Sequence, residues 1–192
     1  MNTNQTKIDI FSPVASDKIC LVVYGNISSG KSEFVKKIRT LLPGYKNISL
    51  DEIRIDWFFK HPDMNGIARE RKCEEECLKS LHASRLIIYE TTAATLFYDR
   101  TISRINSNFK TVHIYINCPS HICQRRYEMR EKNGHFAIPL PYKKTMTLIE
   151  SMNKMASAHS SITPDLQLDS SANTTEELVE VFKQRFNWPQ IK

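Results

Sequence analysis

Apolar residues along this chain fall into short unbroken runs, separated by longer stretches in which they recur every three or four positions. Ile19-Cys20-Leu21-Val22-Val23-Tyr24 is such a run, the pattern of a strand buried on both faces. Ser32 to Leu42 carries Phe34, Val35, Ile38 and Leu42 at helical spacing and stops at Pro43-Gly44. The pattern next predicts a strand over Tyr45 to Leu50 and a charged helix over Asn65 to Ala83, with Ile67, Cys73, Cys77, Leu78 and Leu81 as its inner stripe. A strand over Leu86 to Tyr89, a helix over Phe97 to Ile105, a strand over Val112 to Ile116 and a helix over Ser120 to Lys132 follow. Lys143 to Ala158 reads as a helix and Leu166 to Leu168 as a short last strand. Thr174-Thr175-Glu176-Glu177 opens the final helix as a capping box, which continues through Leu178, Val181 and Phe182. This alternation predicts an α/β fold: a parallel five-stranded sheet flanked by helices, with ligands beyond the carboxyl ends of the strands.

The length of 192 residues predicts a single domain over 1–192. Residues 1–17 read as a flexible N-terminal extension and 125–142 as a small lid region, whose loop holds Gly134, Pro139 and Pro141. Apolar residues at 41% and charged residues at 25% exclude wholesale disorder. Lys plus Arg is 27 against 21 for Asp plus Glu, and the resulting charge of +6 fits an anionic partner, nucleotide or nucleic acid, without choosing between them. No apolar run is long enough to cross a bilayer, and Met1 to Ser16 lacks the apolar core of a secretion signal, so a cytoplasmic protein is expected. The five cysteines are odd in number and scattered, which is no disulfide framework. Cys73 and Cys77 lie one helical turn apart with His82 nearby, but zinc wants four ligands, and thiols on a helix face are the simpler reading.

Gly25-Asn26-Ile27-Ser28-Ser29-Gly30-Lys31-Ser32 matches G-x-x-x-x-G-K-S between a predicted strand and a predicted helix. Glycines there let successive N–H groups face one concavity, and the helix N-terminus adds partial positive charge. Lys31 is expected on the β and γ phosphates of ATP, and Ser32 on Mg²⁺. A guanine-specifying Asn-Lys-x-Asp is missing, since Asn153-Lys154-Met155-Ala156 lacks the Asp. Asp51-Glu52 comes one helix after the phosphate loop, at a predicted strand end, which suits a small phosphotransferase better than a large ATPase. Asp51 there is placed to orient an acceptor hydroxyl, take its proton and touch the Mg²⁺ shell through water. Arg54, one helical turn on, shares its face and has the fork geometry that holds an acceptor phosphate. Glu90 ends the third strand, beside the phosphate loop, followed by Thr91 and Thr92.

The phosphate loop followed by Asp51-x-x-Arg54 resembles the polynucleotide 5′-kinase group of P-loop kinases, and the related zeta toxins that phosphorylate a UDP-sugar. His61-Pro62-Asp63, Tyr89-Glu90-Thr91-Thr92 and Arg126-Tyr127-Glu128 look more like the zeta toxins, while Gly25-Asn26-Ile27 is similar to deoxynucleoside kinases. The resemblance implies a P-loop kinase fold, with Asp51 as general base and Arg54 binding the acceptor; Glu90 at its strand end is placed either to hold Mg²⁺ through water or, with Thr91, to contact the acceptor. Arg126 and Arg130 lie on one helix face and resemble lid arginines that neutralise a transferring phosphoryl group; Arg125 cannot share that face. His135 in the loop is a further candidate phosphate contact. Asp169-Ser170-Ser171 is similar to an adenine-side loop, and Trp57, Phe58 and Phe59 offer either base stacking or packing.

Together these readings describe an ATP- and Mg²⁺-dependent kinase. A polynucleotide 5′-hydroxyl is the first-choice acceptor. A UDP-sugar, nucleoside or nucleotide acceptor stands beside it, as do an ATP-binding regulator without transfer activity and a nucleic-acid-binding module. Oligomeric state has no signature in the sequence.

Overall fold

The computed structural model describes residues 9–134 and 147–187. The elements run β1 (Ile19–Gly25), α1 (Lys31–Leu41), β2 (Lys46–Ser49), α2 (Leu50–Lys60), α3 (Gly66–His82), β3 (Leu86–Thr91), α4 (Tyr98–Asn108), β4 (Lys110–Asn117), α5 (Ser120–Lys132), α6 (Leu148–His159), β5 (Leu166–Asp169) and α7 (Thr175–Arg185). The five strands form one parallel sheet in the order β2-β3-β1-β4-β5. This is the predicted α/β architecture.

β1 is central and buried along its whole length, which its uninterrupted apolar composition permits. Strand alternation splits it between two cores. Ile19, Leu21 and Val23 pack with Phe34 and Ile38 of α1 and Phe182 of α7. Cys20, Val22 and Tyr24 pack on the other face with Cys77 and Leu81 of α3 and Ile105 of α4. β1 pairs with β3 on one side and β4 on the other, so the chain leaves its carboxyl end at the reversal point of the sheet, where α/β folds open a crevice.

The structure departs from the sequence pattern at several positions. Leu50 belongs to α2 rather than to the second strand, because the Ser49 side chain accepts the Glu52 amide and caps a helix there. Ile67 is 57% exposed, whereas Glu70 and Glu74 are buried on α3 because each has a partner: Arg54 for Glu70, Thr101 and Arg100 for Glu74. Val181 is 44% exposed and Val179 takes the core position, while the capping box of Thr174 and Glu177 forms as predicted. Of the expected N-terminal extension, residues 9–17 pack on the domain: Ile10 is fully buried, Tyr45 Oη donates to its carbonyl at 2.9 Å, and Asp17 pairs with Lys110 at 2.7 Å. Of the expected lid, residues 125–134 are the end of α5 and its turn; the rest of it, with His135, and the start predicted at Lys143 for the next helix lie outside the described residues. Cys73 and Cys77 are buried, His82 is exposed, and among the described residues no cluster of metal-ligand type occurs. No described helix is long and apolar enough to cross a membrane.

Candidate active site

A cavity of roughly 810 Å³ opens at the carboxyl ends of the strands. Lys31, Ser32, Asp51, Arg54, Glu90 and Arg130 all line it. Residues about 20 to 100 apart in sequence are thus brought to one place.

The loop between β1 and α1 forms its floor. A Cβ at Gly25 would collide with the Ile116 carbonyl of β4, so only glycine lets the loop turn that close to the sheet. Gly30 is the N-cap of α1 at φ 92°, in the left-handed region, and Ser28 adopts φ 58°. Asn26 is structural: its side-chain amide donates to the Met152 carbonyl of α6 at 2.9 Å, and its Oδ1 accepts from the Ile27 amide. Lys31 Nζ folds back on the Asn26 carbonyl at 2.7 Å. Burial pulls the Lys31 ammonium below its ordinary value, against the opposing pull of Asp51 and Glu90. The Ser28 hydroxyl lines the cavity buried and without a partner, a donor free for an anionic oxygen. Amides at a helix start, a buried ammonium and an orphan hydroxyl make a cradle suited to a polyphosphate.

Carboxylates face this cradle. Ser32 Oγ donates to Glu90 Oε1 at 2.6 Å. Burial pushes Glu90 above the ordinary carboxylate range, with the Ser32 hydroxyl and Lys31 opposing. Asp51 sits in the first turn of α2, not at the strand end, and its side chain is about half exposed, toward the cavity. Its charge acts on both Lys31 and Glu90. Ser32, Asp51 and Glu90 supply hard oxygen ligands, the donor set Mg²⁺ takes together with water and substrate phosphates, so these residues fit that ion.

Arg54 is placed where expected but is not free to greet a substrate. It is buried, with Nη2 and Nε on Glu70 Oε2 at 2.6 and 3.2 Å and Nη1 on Asp51 Oδ1 at 3.2 Å. Glu70, from α3, was not singled out in the sequence; the signal was an acid at an inner-stripe position. α2 buries few residues besides Leu50 and Arg54, so this pair largely fixes the helix that carries Asp51. Removing one partner of a buried pair strands the other charge. Glu70→Ala is therefore expected to lower stability by about 3 kcal/mol, the lower end for such pairs because Asp51 remains. An unchanged midpoint in chemical denaturation would show that α2 is held by something else.

Other candidates are distributed differently. Thr91 is buried at the end of β3, accepts the Ala93 amide at 3.1 Å and does not line the cavity. Its side chain is used to close the local turn. Arg126 lines the cavity, but its guanidinium grips Ser170, with Nη2 on the carbonyl at 2.6 Å and Nη1 on the hydroxyl at 3.2 Å. Ser170 Oγ in turn donates to the Ser29 carbonyl at 2.7 Å, tying the loop after β5 to the phosphate loop. Arg130 lines the cavity and its charge acts on Lys31; Arg125 is exposed away from it. Trp57 stacks on His61 and Phe58 on Arg69, and neither ring, nor Phe59, lines the cavity. Besides Ser170, the wall opposite the acceptor side includes Asn173, Thr174 and Leu178 from the start of α7, none of them readable from the motif.

No family model matches this chain, and no curated protein sequence matches it. Solved structures do. A gluconokinase from Sinorhizobium meliloti 1021 superimposes with a TM-score of 0.60 at 16% identity, covering 88% of this chain and 92% of that one. Shikimate kinase from Bacteroides thetaiotaomicron gives 0.57 at 17% identity, covering 88% and 98%. A chain of the Pnkp1/Rnl/Hen1 RNA repair complex gives 0.58 at 15% identity, covering 78% of this chain and 48% of that one. With the five-stranded parallel sheet and the phosphate loop at its reversal point, these likenesses show that the chain shares the fold of those kinase structures.

Proposed function

We propose that this protein is an ATP-dependent kinase that transfers the γ-phosphate to an acceptor hydroxyl. The observation that carries the reading is that Asp51 shares one cavity with Lys31 and Ser32, close enough for its charge to act on the Lys31 ammonium. Lys31 and the 25–30 backbone hold the phosphates. Ser32, with Asp51 and Glu90 behind it, would hold Mg²⁺, which would supply charge neutralisation to the phosphates. Asp51 accepts the proton of the acceptor hydroxyl as its oxygen bonds to the γ-phosphorus, while the bond to the β–γ bridging oxygen breaks and ADP leaves. Arg130 supplies positive charge beside the transferring group. Arg126, held on Ser170, shapes the wall on the nucleotide's far side.

A polynucleotide 5′-hydroxyl is the first acceptor, supported by Asp51-x-x-Arg54 and the net charge of +6. A second reading, a small hydroxylated metabolite such as a UDP-sugar, is favoured by Arg54: its guanidinium already binds two carboxylates, so an acceptor phosphate there has to compete with Glu70. The test is transfer from γ-labelled ATP to a panel of 5′-hydroxyl RNA and DNA oligonucleotides, tRNA, nucleosides and UDP-sugars. Label on an oligonucleotide 5′ end is expected. Label on a small acceptor alone decides for the second reading, and ATP binding with every acceptor unlabelled makes the protein a nucleotide-binding regulator.

A further inference from the structure

Cys118 and Cys123 have no part in the reaction above. Cys118 directly precedes Pro119, the N-cap of α5, and Cys123 is the fourth residue of that helix. These two positions meet across a helix start, usually as an apolar staple. Here both carry thiols. Cys123 Sγ donates to the Cys118 carbonyl at 3.6 Å, and the same thiol is the strongest influence on the Cys118 sulfur. Arg126, at the next turn of the helix, brings Nη1 to 3.5 Å from Cys118 Sγ.

This is a thiolate-stabilising environment: an S–H donor, a guanidinium and a helix N-terminus converge on one sulfur. The Cys123 hydrogen bond, helped by Ser170 and Arg126, holds Cys118 down at about 6 and pushes Cys123 up. Burial dominates at the remaining thiols, raising Cys73 to about 11, Cys77 to about 12 and Cys20 further. A nucleophilic sulfur beside a resolving thiol is the arrangement of redox-sensing cysteines.

We propose that Cys118 and Cys123 form a redox-active dithiol that a peroxide closes to a disulfide, and that closure loosens the nucleotide side of the cavity. The Cys118 thiolate attacks one peroxide oxygen, the O–O bond breaks, and hydroxide leaves and is protonated to water; Cys118 becomes a sulfenic acid. The Cys123 sulfur then attacks the Cys118 sulfur, its thiol proton leaving with the displaced hydroxyl as a second water. Two electrons pass from the thiol pair to the peroxide. The coupling runs through Arg126. Its guanidinium joins Cys118 to Ser170, and Ser170 joins the phosphate loop at Ser29. A disulfide removes the thiolate that Arg126 faces and shifts the start of α5. Both cysteines are buried, and Arg126 beside Cys118 lines the cavity.

The affinity readout rests on the proposed nucleotide site, whereas the disulfide is mapped without nucleotide. Reduced full-length protein is treated with hydrogen peroxide, alkylated, digested without reductant and mapped by mass spectrometry. A peptide pair linked through Cys118 and Cys123 is expected before any modification of Cys20, Cys73 or Cys77, reversed by dithiothreitol. Affinity for a fluorescent ATP analogue is expected to fall about tenfold on closure, the worth of about one charged hydrogen bond. Cys123→Ser, outside the cavity wall, is expected to keep the reduced-state affinity and leave Cys118 as a sulfenic acid that dimedone traps. Oxidation that spares Cys118, or a closed disulfide with unchanged affinity, overturns the proposal. Reduced protein that binds no ATP refutes the kinase reading, and the linked peptide then still decides the dithiol chemistry.

Discussion

Asp51→Asn is expected to cut phosphoryl transfer by about a hundred- to ten-thousandfold, the range a positioned general base supplies, while ATP affinity stays within about twofold. The substitution keeps the shape of the side chain and one acceptor oxygen, so the bond from Arg54 Nη1 to Oδ1 is preserved. What is lost is the ability to take the acceptor's proton. Single-turnover transfer measured beside equilibrium ATP binding separates the two effects. Transfer at the wild-type rate would remove Asp51 from the reaction. Parallel loss of binding would instead give it a part in holding the nucleotide and its metal.

Lys31→Met is expected to reduce transfer by about a hundred- to a thousandfold, the worth of one preorganised charge on the transferring group, and to weaken ATP binding with it. Stability moves the other way. Burial holds the Lys31 ammonium below its ordinary value, so at intermediate pH the unfolded chain keeps a proton that the folded chain gives up. The cost of the buried charge is therefore full at low pH and is relieved as pH rises through the folded value toward the ordinary 10.5. Methionine carries no such charge. The variant is expected to unfold no earlier than wild type at neutral pH, and its stability should no longer climb on the alkaline side. A variant that melts early would mean that the ammonium's bond to the Asn26 carbonyl outweighs the cost of burying its charge.

Lys31 and Asp51 differ in how far the chain's own pattern reveals them. Lys31 was legible because its chemistry is local: eight consecutive residues between a strand and a helix specify the loop, the helix start and the ammonium together. Asp51 was legible only as a carboxylate on the next crossover, and its place on a helix turn depended on the Ser49 cap. Thr91 followed Glu90 in an informative string yet turned to a backbone amide, because neighbours on a strand point to opposite faces.

By itself, the sequence determined the alternation of elements, the central strand and the phosphate loop, since each is written in contiguous residues whose spacing decides their conformation. It also carried both capping-box residues of the last helix, Thr174 and Glu177, three positions apart. Tertiary structure alone decided what each charge faces. Arg54 meets Glu70 across 16 residues, Ser32 meets Glu90 across 58, and Arg126 meets Ser170 across 44. Pairings of that length arise when helices dock on the sheet, and desolvation then requires each buried charge to find a partner wherever the packing has put one.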